Sequence, residues 1–201
     1  MEDVVMDEAF WDTMYREKDR KWSGNPNPTL VAEVSGLRPG TALDVGCGEG
    51  ADAIWLAGRG WRVTGVDVSS VALDRAKQHS TEVEWLHLDL AKEPVPGTYD
   101  LVSAQYVHFQ PKEDMLELHR RIAEAVAPGG TLLIVGHDPQ EAHRHAADKP
   151  DIPHDIFFGA DTLTSLLAQN EWTIEVAETR TLDRPDHRMY DFVFKASRRS
   201  A

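Results

Sequence analysis

Apolar positions along the 201-residue chain change their spacing several times, and each change marks an element. From Asp7 to Arg20, Phe10, Trp11, Met14 and Tyr15 recur at helical spacing among charges, which predicts an amphipathic helix. The run from Trp22 to Pro28 (WSGNPNP) cannot be regular structure, because its prolines withhold backbone donors. Thr29 to Gly36 predicts a second short helix. Beyond it the apolar runs shorten to strand length, at Ala42 to Val45, Trp61 to Asp67, Val83 to Leu88, Tyr99 to Ala104 and Thr131 to Gly136. Helical stretches separate them at Ala51 to Arg59, at Val71 to His79 with Ser69 or Ser70 as cap, and at Met115 to Val126. Pro128, Gly129 and Gly130 read as the turn into the fifth strand. Such alternation predicts parallel strands with helices on both faces.

The last third departs from this rhythm. His137 to Phe158 is long, proline-broken and irregular, and Ala160 to Gln169 predicts a helix. Trp172 to Leu182 and Met189 to Ser197 then read as long strands joined through Asp183 to His187, an antiparallel hairpin. The residues from Ser197 onward read as a disordered tail. The expected fold is therefore α/β: a doubly wound, mostly parallel seven-stranded sheet closed by an antiparallel C-terminal hairpin. Residues 1–28 form an N-terminal helix and lid-like loop of the same domain, and residues 29–201 form the ligand-binding body.

Composition narrows the partners. A formal charge of −13 repels a phosphate backbone, so nucleic acid is not expected and a small molecule is. The apolar runs are short and the beginning is acidic, so neither a membrane span nor a signal peptide is expected, and the location is expected to be cytoplasmic. Cys47 is the only cysteine, which excludes an intrachain disulfide and suits a seat that needs a small residue. Monomer and homodimer are both compatible.

The chemistry concentrates at Thr41 to Ala51 (TALDVGCGEGA), where a buried strand runs into Gly46, Cys47, Gly48, Glu49 and Gly50 before a helix. Glycines there allow positive φ and close backbone approach, which is how a doubly wound sheet presents a ligand at the carboxyl end of its first strand. Asp67, with Val68 after it, ends the second strand about 20 residues further on, the interval at which a carboxylate reaches a ribose cis-diol. Asp89 follows the third strand and is suited to an exocyclic amine, with Leu88 and Leu90 as apolar walls. Gly46, Gly48 and Ala51 also satisfy the nicotinamide-dinucleotide fingerprint, but Asp44 two residues before the first glycine would repel a pyrophosphate. Phe10 and Trp11 read as docking the N-terminal helix on the core; Tyr15 and Trp22 read equally as lid or as packing.

Together, Leu43 to Gly50, Val66-Asp67, Asp89-Leu90 and Ala127 to Leu132, each at a strand end, resemble the class I S-adenosylmethionine-dependent methyltransferases. The small size, aromatic N-terminal helix and WSGNPN loop further resemble the small-molecule enzymes of the tellurite-resistance and thiopurine type. The resemblance implies S-adenosylmethionine as cofactor and S-adenosylhomocysteine as product. It places the backbone of Gly46, Cys47 and Gly48 with Asp44 at the methionine end, Asp67 and Val68 at the ribose, and Asp89 with Leu90 at the adenine. Ser103 to His108, including Gln105, would lie by the sulfonium, with Tyr15 and Trp22 covering it. Methyl transfer to a thiol, oxygen, nitrogen or oxyanion would be an in-line displacement. A general base, if used, would come from His108, His137, Asp138 or His154, with His108 and His137 as the catalytic candidates. His143 and His145 sit at an i, i+2 offset unsuited to one helix face, and no second cysteine completes a tetrahedral site, so no metal is expected. The alternatives are a non-catalytic nucleotide-binding protein on the same fold and, behind it, an NAD(P)-binding oxidoreductase.

Overall fold

The computed structural model describes residues 6–90, 92–107, 112–141, 158–183 and 188–200. Two helices precede the sheet, α1 (Glu8–Arg16) and α2 (Pro28–Val34). There follow β1 (Thr41–Val45), α3 (Ala51–Ala57), β2 (Arg62–Asp67), α4 (Ser70–His79), β3 (Glu84–His87) and β4 (Tyr99–Gln105). The chain continues through α5 (Lys112–Glu124), β5 (Val126–His137), a single 3-10 turn (Pro139–Glu141), α6 (Ala160–Leu166), β6 (Trp172–Asp183) and β7 (Arg188–Arg198). Local chemistry sets the helix starts. Asp7 accepts from the Phe10 amide at 3.0 Å, Asn27 from the Thr29 amide at 2.8 Å ahead of Pro28, and Ser69 from the Ala72 amide at 3.1 Å. Among the described residues no helix is long and apolar enough to cross a membrane.

The strands lie in the order β3-β2-β1-β4-β5-β7-β6, with β1 to β5 parallel and β7 antiparallel to both β5 and β6. Strand order reverses between β1 and β4, so a crevice opens at their carboxyl ends. Side-chain alternation divides the core between the two faces. Ala42, Leu101, Leu133, Val135 and Val193 pack under Leu30 of α2 and Leu56 of α3. Leu43, Val102, Leu132, Ile134 and Phe194 pack under Met115, Leu118 and Ile122 of α5 and Leu163 of α6. By the same alternation Asp44, Ser103, Gln105, His137 and Asp191 belong to the α2/α3 face, in neighbouring registers along the carboxyl edge.

The sheet class, strand sequence and hairpin agree with the pattern of the sequence; several helix ends shift by two to four residues, and α6 stops at Leu166 rather than Gln169. Pro128-Gly129-Gly130 is not a turn before the fifth strand but an irregularity inside it: β5 begins at Val126, opposite Tyr99, and its register shifts before Leu101 meets Thr131. A Cβ at Gly130 would stand 3.0 Å from the Asp100 carbonyl oxygen, so the bulge needs a glycine to lie this close to β4. α1 ends at Arg16 rather than Arg20, because the amides of Lys21 and Trp22 are drawn to a carboxylate elsewhere. The C-terminal residues are not loose: Arg198 closes β7 with its guanidinium donating to the Val126 carbonyl at 2.7 Å, and the Arg199 amide donates to the Glu171 carbonyl at 2.8 Å. The Asp183 to His187 connection lies partly outside the described residues.

Leu133 is fully buried on β5, an interior strand between β4 and β7. Leu133→Ala is expected to lower stability by about 2–5 kcal/mol, the cost of lost burial plus a cavity that the sheet cannot collapse. A fall in the urea midpoint at unchanged slope measures it.

Candidate functional site

Three positive-φ glycines shape the turn after β1, Gly46 at +65°, Gly48 at +54° and Gly50 at +86°. The turn is strapped to the end of β2 by the Cys47 amide on the Val66 carbonyl at 3.0 Å and by the Gly48 amide on Asp67 Oδ2 at 2.8 Å. Asp67 Oδ1 accepts the Ser69 amide at 2.8 Å, so both its oxygens are oriented by backbone and each retains a further lone pair. The side chain of Cys47 is packed beside Gly65, and burial pushes its thiol pKa well up, which makes it a spacer rather than a nucleophile.

Asp44 lies at the base of this turn, 2% exposed. It accepts the Ala53 amide, while its Oδ2 is buried with no hydrogen-bond partner. Burial raises its pKa well above the usual carboxylate range, and the charges that act on it, Asp52 and Asp67, are both negative and push it further. Asp52 accepts the Asn27 amide at 2.6 Å, and burial raises its own pKa to about 6. Across the β1/β4 reversal Gln105 Nε2 donates to Ser103 Oγ at 2.9 Å, and Gln105 Oε1 is a second buried acceptor without a partner. The two unpartnered acceptors, with buried Asp67 and half-buried Asp52 beside Asp44, leave this end of the sheet deficient in positive charge and hydrogen-bond donors.

The N-terminal segment closes over the turn. A Cβ on Gly48 would meet Tyr15 Oη at 2.7 Å and Trp22 Nε1 at 3.8 Å, and the two aromatics are joined by the Trp22 indole donating to Tyr15 Oη at 3.2 Å. Glu49 holds them there. Its carboxylate accepts the Lys21 and Trp22 amides at 3.1 Å and pairs with Arg75 at 2.8 Å, and Arg75 donates on to the Tyr15 carbonyl at 2.7 Å. Asp12 of α1 accepts from Ser69 Oγ at 2.7 Å and from the Val71 amide at 3.2 Å, which docks α1 on the start of α4. Sequence inspection found Tyr15 and Trp22 but missed Glu49, Arg75, Asp52 and Asp12. Glu49 lay in plain sight among the glycines, but its partners are distant in the chain.

A cleft of about 610 Å³ continues the crevice past β2, lined by α1, Val68, His87, Leu88, Asp89 and Lys92. His87 Nε2 is 2.9 Å from the Val68 carbonyl and 3.0 Å from Glu8, and Asp89 pairs with Lys92 at 2.7 Å. Leu90 turns instead into the core with Val66 and Met115 and is not among the residues lining the cleft.

At the other end of the edge His137 closes β5. Its Nδ1 is 3.2 Å from Asp191 Oδ1, its ring lies 4.8 Å from that of Tyr106, and Tyr106 Oη donates to Asp191 Oδ2. Tyr106 takes a left-handed φ of +53°, unusual for a non-glycine residue. Asp138 is not placed as a free base: it accepts Thr179 Oγ1 at 2.6 Å and the Gln140 amide at 3.0 Å, so it organises the turn after β5. His108, His143, His145 and His154 lie outside the described residues.

Residues 42–130 match the family model described as a methyltransferase domain. The chain as a whole has the α/β fold of solved methyltransferases. It is 33% identical over 150 residues to a cypemycin N-terminal methyltransferase from Streptomyces, an overlap of 71% of this chain but only 60% of the relative's length. It is 28% identical over 165 residues to a 2-heptyl-1-hydroxyquinolin-4(1H)-one methyltransferase from Mycobacteroides abscessus, covering 77% of this chain and 69% of the relative. In structure it resembles the N-methyltransferase NodS of Bradyrhizobium japonicum, solved with S-adenosyl-L-homocysteine, with a TM-score of 0.69, 21% identity and coverage of 94% and 98% of the two chains.

Two measurements test this geometry. Glu49→Ala strands Arg75 and releases two amides, so hydrogen exchange across residues 15–25 is expected to accelerate by the equivalent of about 1–3 kcal/mol, with sheet amides unchanged. Asp52 has its pKa raised from an unfolded value of about 3.9, so between about pH 4 and pH 6 the folded chain keeps a proton that the unfolded chain has lost, and stability falls as pH rises through that window. Asp52→Asn, which still accepts the Asn27 amide, is expected to raise stability by about 1–3 kcal/mol above pH 6. Urea midpoints on either side of the window should diverge only at the higher pH.

Proposed function

We propose that this methyltransferase domain transfers a methyl group from S-adenosylmethionine to a small-molecule acceptor. The carrying observation is the pair of unpartnered buried acceptors, Asp44 Oδ2 and Gln105 Oε1, beside Asp52 and Asp67 at the strand-order reversal. A group that binds there must bring donors and positive charge. S-adenosylmethionine has both, in an ammonium and a sulfonium, and no phosphate; a dinucleotide would bring a pyrophosphate against three carboxylates. When bound, it supplies a methyl carbon attached to a sulfonium that is already a good leaving group.

The chain's residues then divide the work. Asp44 and Gln105 receive the amino-acid end, and the bare backbone of Gly46 and Gly48 with Cys47 lets that end approach. Asp67 uses its remaining lone pairs for the ribose diol, oriented by the amides of Gly48 and Ser69. Val68, Leu88 and Asp89 supply the cleft for the base. Tyr15 and Trp22, held by Glu49, cover the turn and exclude water, which favours attack by the bound acceptor over solvent. Catalysis by the protein is largely a matter of bringing the acceptor and the methyl near 3 Å apart in line. The small-molecule assignment rests on the chain's acidity and on relatives such as the hydroxyquinolone methyltransferase.

Calorimetric titration with S-adenosylmethionine, S-adenosylhomocysteine and NAD side by side is expected to show micromolar binding of the two sulfur nucleotides and none of NAD. Asp44→Asn keeps the size of the side chain but not the charge, and is expected to weaken S-adenosylhomocysteine binding by about 1.5–3 kcal/mol in a chain that melts no earlier than wild type. Binding of NAD alone, or undiminished affinity in the variant, overturns the assignment.

A further inference from the structure

The buried carboxylate of Asp191 is not used by anything proposed so far. It is 1% exposed, and its partners among the described residues are His137 Nδ1 at 3.2 Å and the Tyr106 hydroxyl. A carboxylate buried so deeply normally has a cation or several donors to offset its desolvation. The cation opposite it in register, Arg180 on β6, is committed to Glu33 and Glu178 at 2.7 Å each. The other acids nearby are also committed: Asp138 takes Thr179 and the Gln140 amide, and Glu141 takes the Tyr190 amide at 2.9 Å. What remains to satisfy Asp191 is the imidazole, which is steadied from the other side by the Tyr106 ring. Tyr106 is itself held in its strained φ by its amide on the Val135 carbonyl at 2.8 Å and by its hydroxyl on Asp191.

The position of this group along the edge gives it a use. Gln105 pairs with Val135, so His137 stands two residues further toward the open edge on the same face, on the strand next to Gln105 and its unpartnered Oε1. Neighbouring strands are about 4.8 Å apart, so the imidazole is one strand away from the acceptor assigned to the amino-acid end, and the sulfonium belongs to that same methionine moiety. A carboxylate on Nδ1 fixes the tautomer with the proton on that nitrogen, directs Nε2 away from Asp191, and stabilises the imidazolium that forms when Nε2 takes a proton.

We propose that His137, positioned by Asp191 and Tyr106, is the proton acceptor of the site, and that the acceptor substrate presents a weakly acidic hydroxyl such as a phenol or enol. This inference rests on the methyl-transfer reading. As the bond from the acceptor oxygen to the methyl carbon forms, the methyl–sulfur bond breaks with its electron pair going to sulfur, and the hydroxyl proton moves to Nε2 and later to water. Thiols and carboxylates ionise without such help, whereas a hydroxyl gains most from a base in the transition state.

The test has two parts that fail separately. In the isotopically labelled protein, long-range proton–nitrogen spectra are expected to show neutral His137 protonated on Nδ1, and Asp191→Asn to turn it into a tautomer mixture; Tyr106→Phe serves as the second variant if Asp191→Asn does not fold. A proton on Nε2 in wild type, or a mixture indifferent to both variants, overturns the positioning. S-adenosylhomocysteine affinity is expected to stay within about twofold in His137→Gln, since His137 does not hold the cofactor; absence of cofactor binding in wild type would defeat the methyl-transfer reading and leave the tautomer result standing by itself. Product formation is then followed over a panel of phenols, enols, thiols and carboxylates. His137→Gln is expected to lower kcat on hydroxyl acceptors by about 10²–10⁴-fold with KM little changed. Turnover of thiols or carboxylates alone, no turnover of any hydroxyl despite cofactor binding, or an unaltered kcat in the variant overturns the proposal.

Discussion

Negative charge confined at the carboxyl ends of β1 and β2 is the condition around which the rest of the molecule is arranged. Asp44 and Asp67 are buried and Asp52 is half-buried, and desolvation raises the pKa of each. They remain compatible with a folded chain because backbone amides point at them: Ala53 at Asp44, Asn27 at Asp52, Gly48 and Ser69 at Asp67. The Gly48 and Ala53 amides reach their acids because Gly46, Gly48 and Gly50 take positive φ and turn the chain back over the strand ends. The sheet topology, the glycines and the acids are thus one arrangement. Without the turn the carboxylates would be desolvated and unmatched.

The N-terminal segment is built into the same arrangement through a separate acid. Glu49 faces Arg75 and the amides of Lys21 and Trp22, and these contacts hold its pKa below the usual range although burial opposes this. Its charge is paired with a cation and theirs are met by backbone amides, which on the proposed reading separates a structural carboxylate from the ligand-directed ones. The clamp carries Tyr15 and Trp22 to Gly48, while Trp22 itself stays 54% exposed. An aromatic left so exposed on a segment held mainly by hydrogen bonds is suited to local opening at small cost, and on the proposed reading the cofactor must pass there.

How far the sequence foretold this depends on whether a feature is local. The strand, glycine turn and helix from Thr41 to Ala57 were legible because the apolar run and its interruption are contiguous, and Asp67 was legible because a βαβ unit has a nearly fixed length. A serine cap at Ser69 or Ser70, which the structure resolves to Ser69, and the C-terminal hairpin were readable for the same reason. The bulge at Pro128-Gly129-Gly130 was misread as a turn because proline and glycine mark both, and only pairing with Tyr99 and Leu101 decides between them. Asp191 was invisible as a site residue: within Met189 to Ser197 it is one polar position in a strand, and its meaning comes from the β5/β7 register that sets it opposite His137. Glu49 failed in the same way, since its partners lie at positions 21, 22 and 75.

The sign of the charge at the turn also bears on why a fingerprint shared with dinucleotide domains need not mean a shared ligand. A unit charge about 5 Å from a carboxylate at an effective dielectric near 20 is worth about 3 kcal/mol. Exchanging a pyrophosphate for an ammonium or sulfonium reverses that sign, so one ionised acid separates the two ligand classes by about 6 kcal/mol, or some four orders of magnitude in affinity. Gly46 and Gly48 provide access to either ligand, because an absent Cβ has no charge preference. On the methyl-transfer reading the selection lies in Asp44, two residues earlier and buried, where no basic side chain among those acting on it offsets its charge. On the proposed reading, backbone shape admits a nucleotide-like ligand and buried charge determines which one.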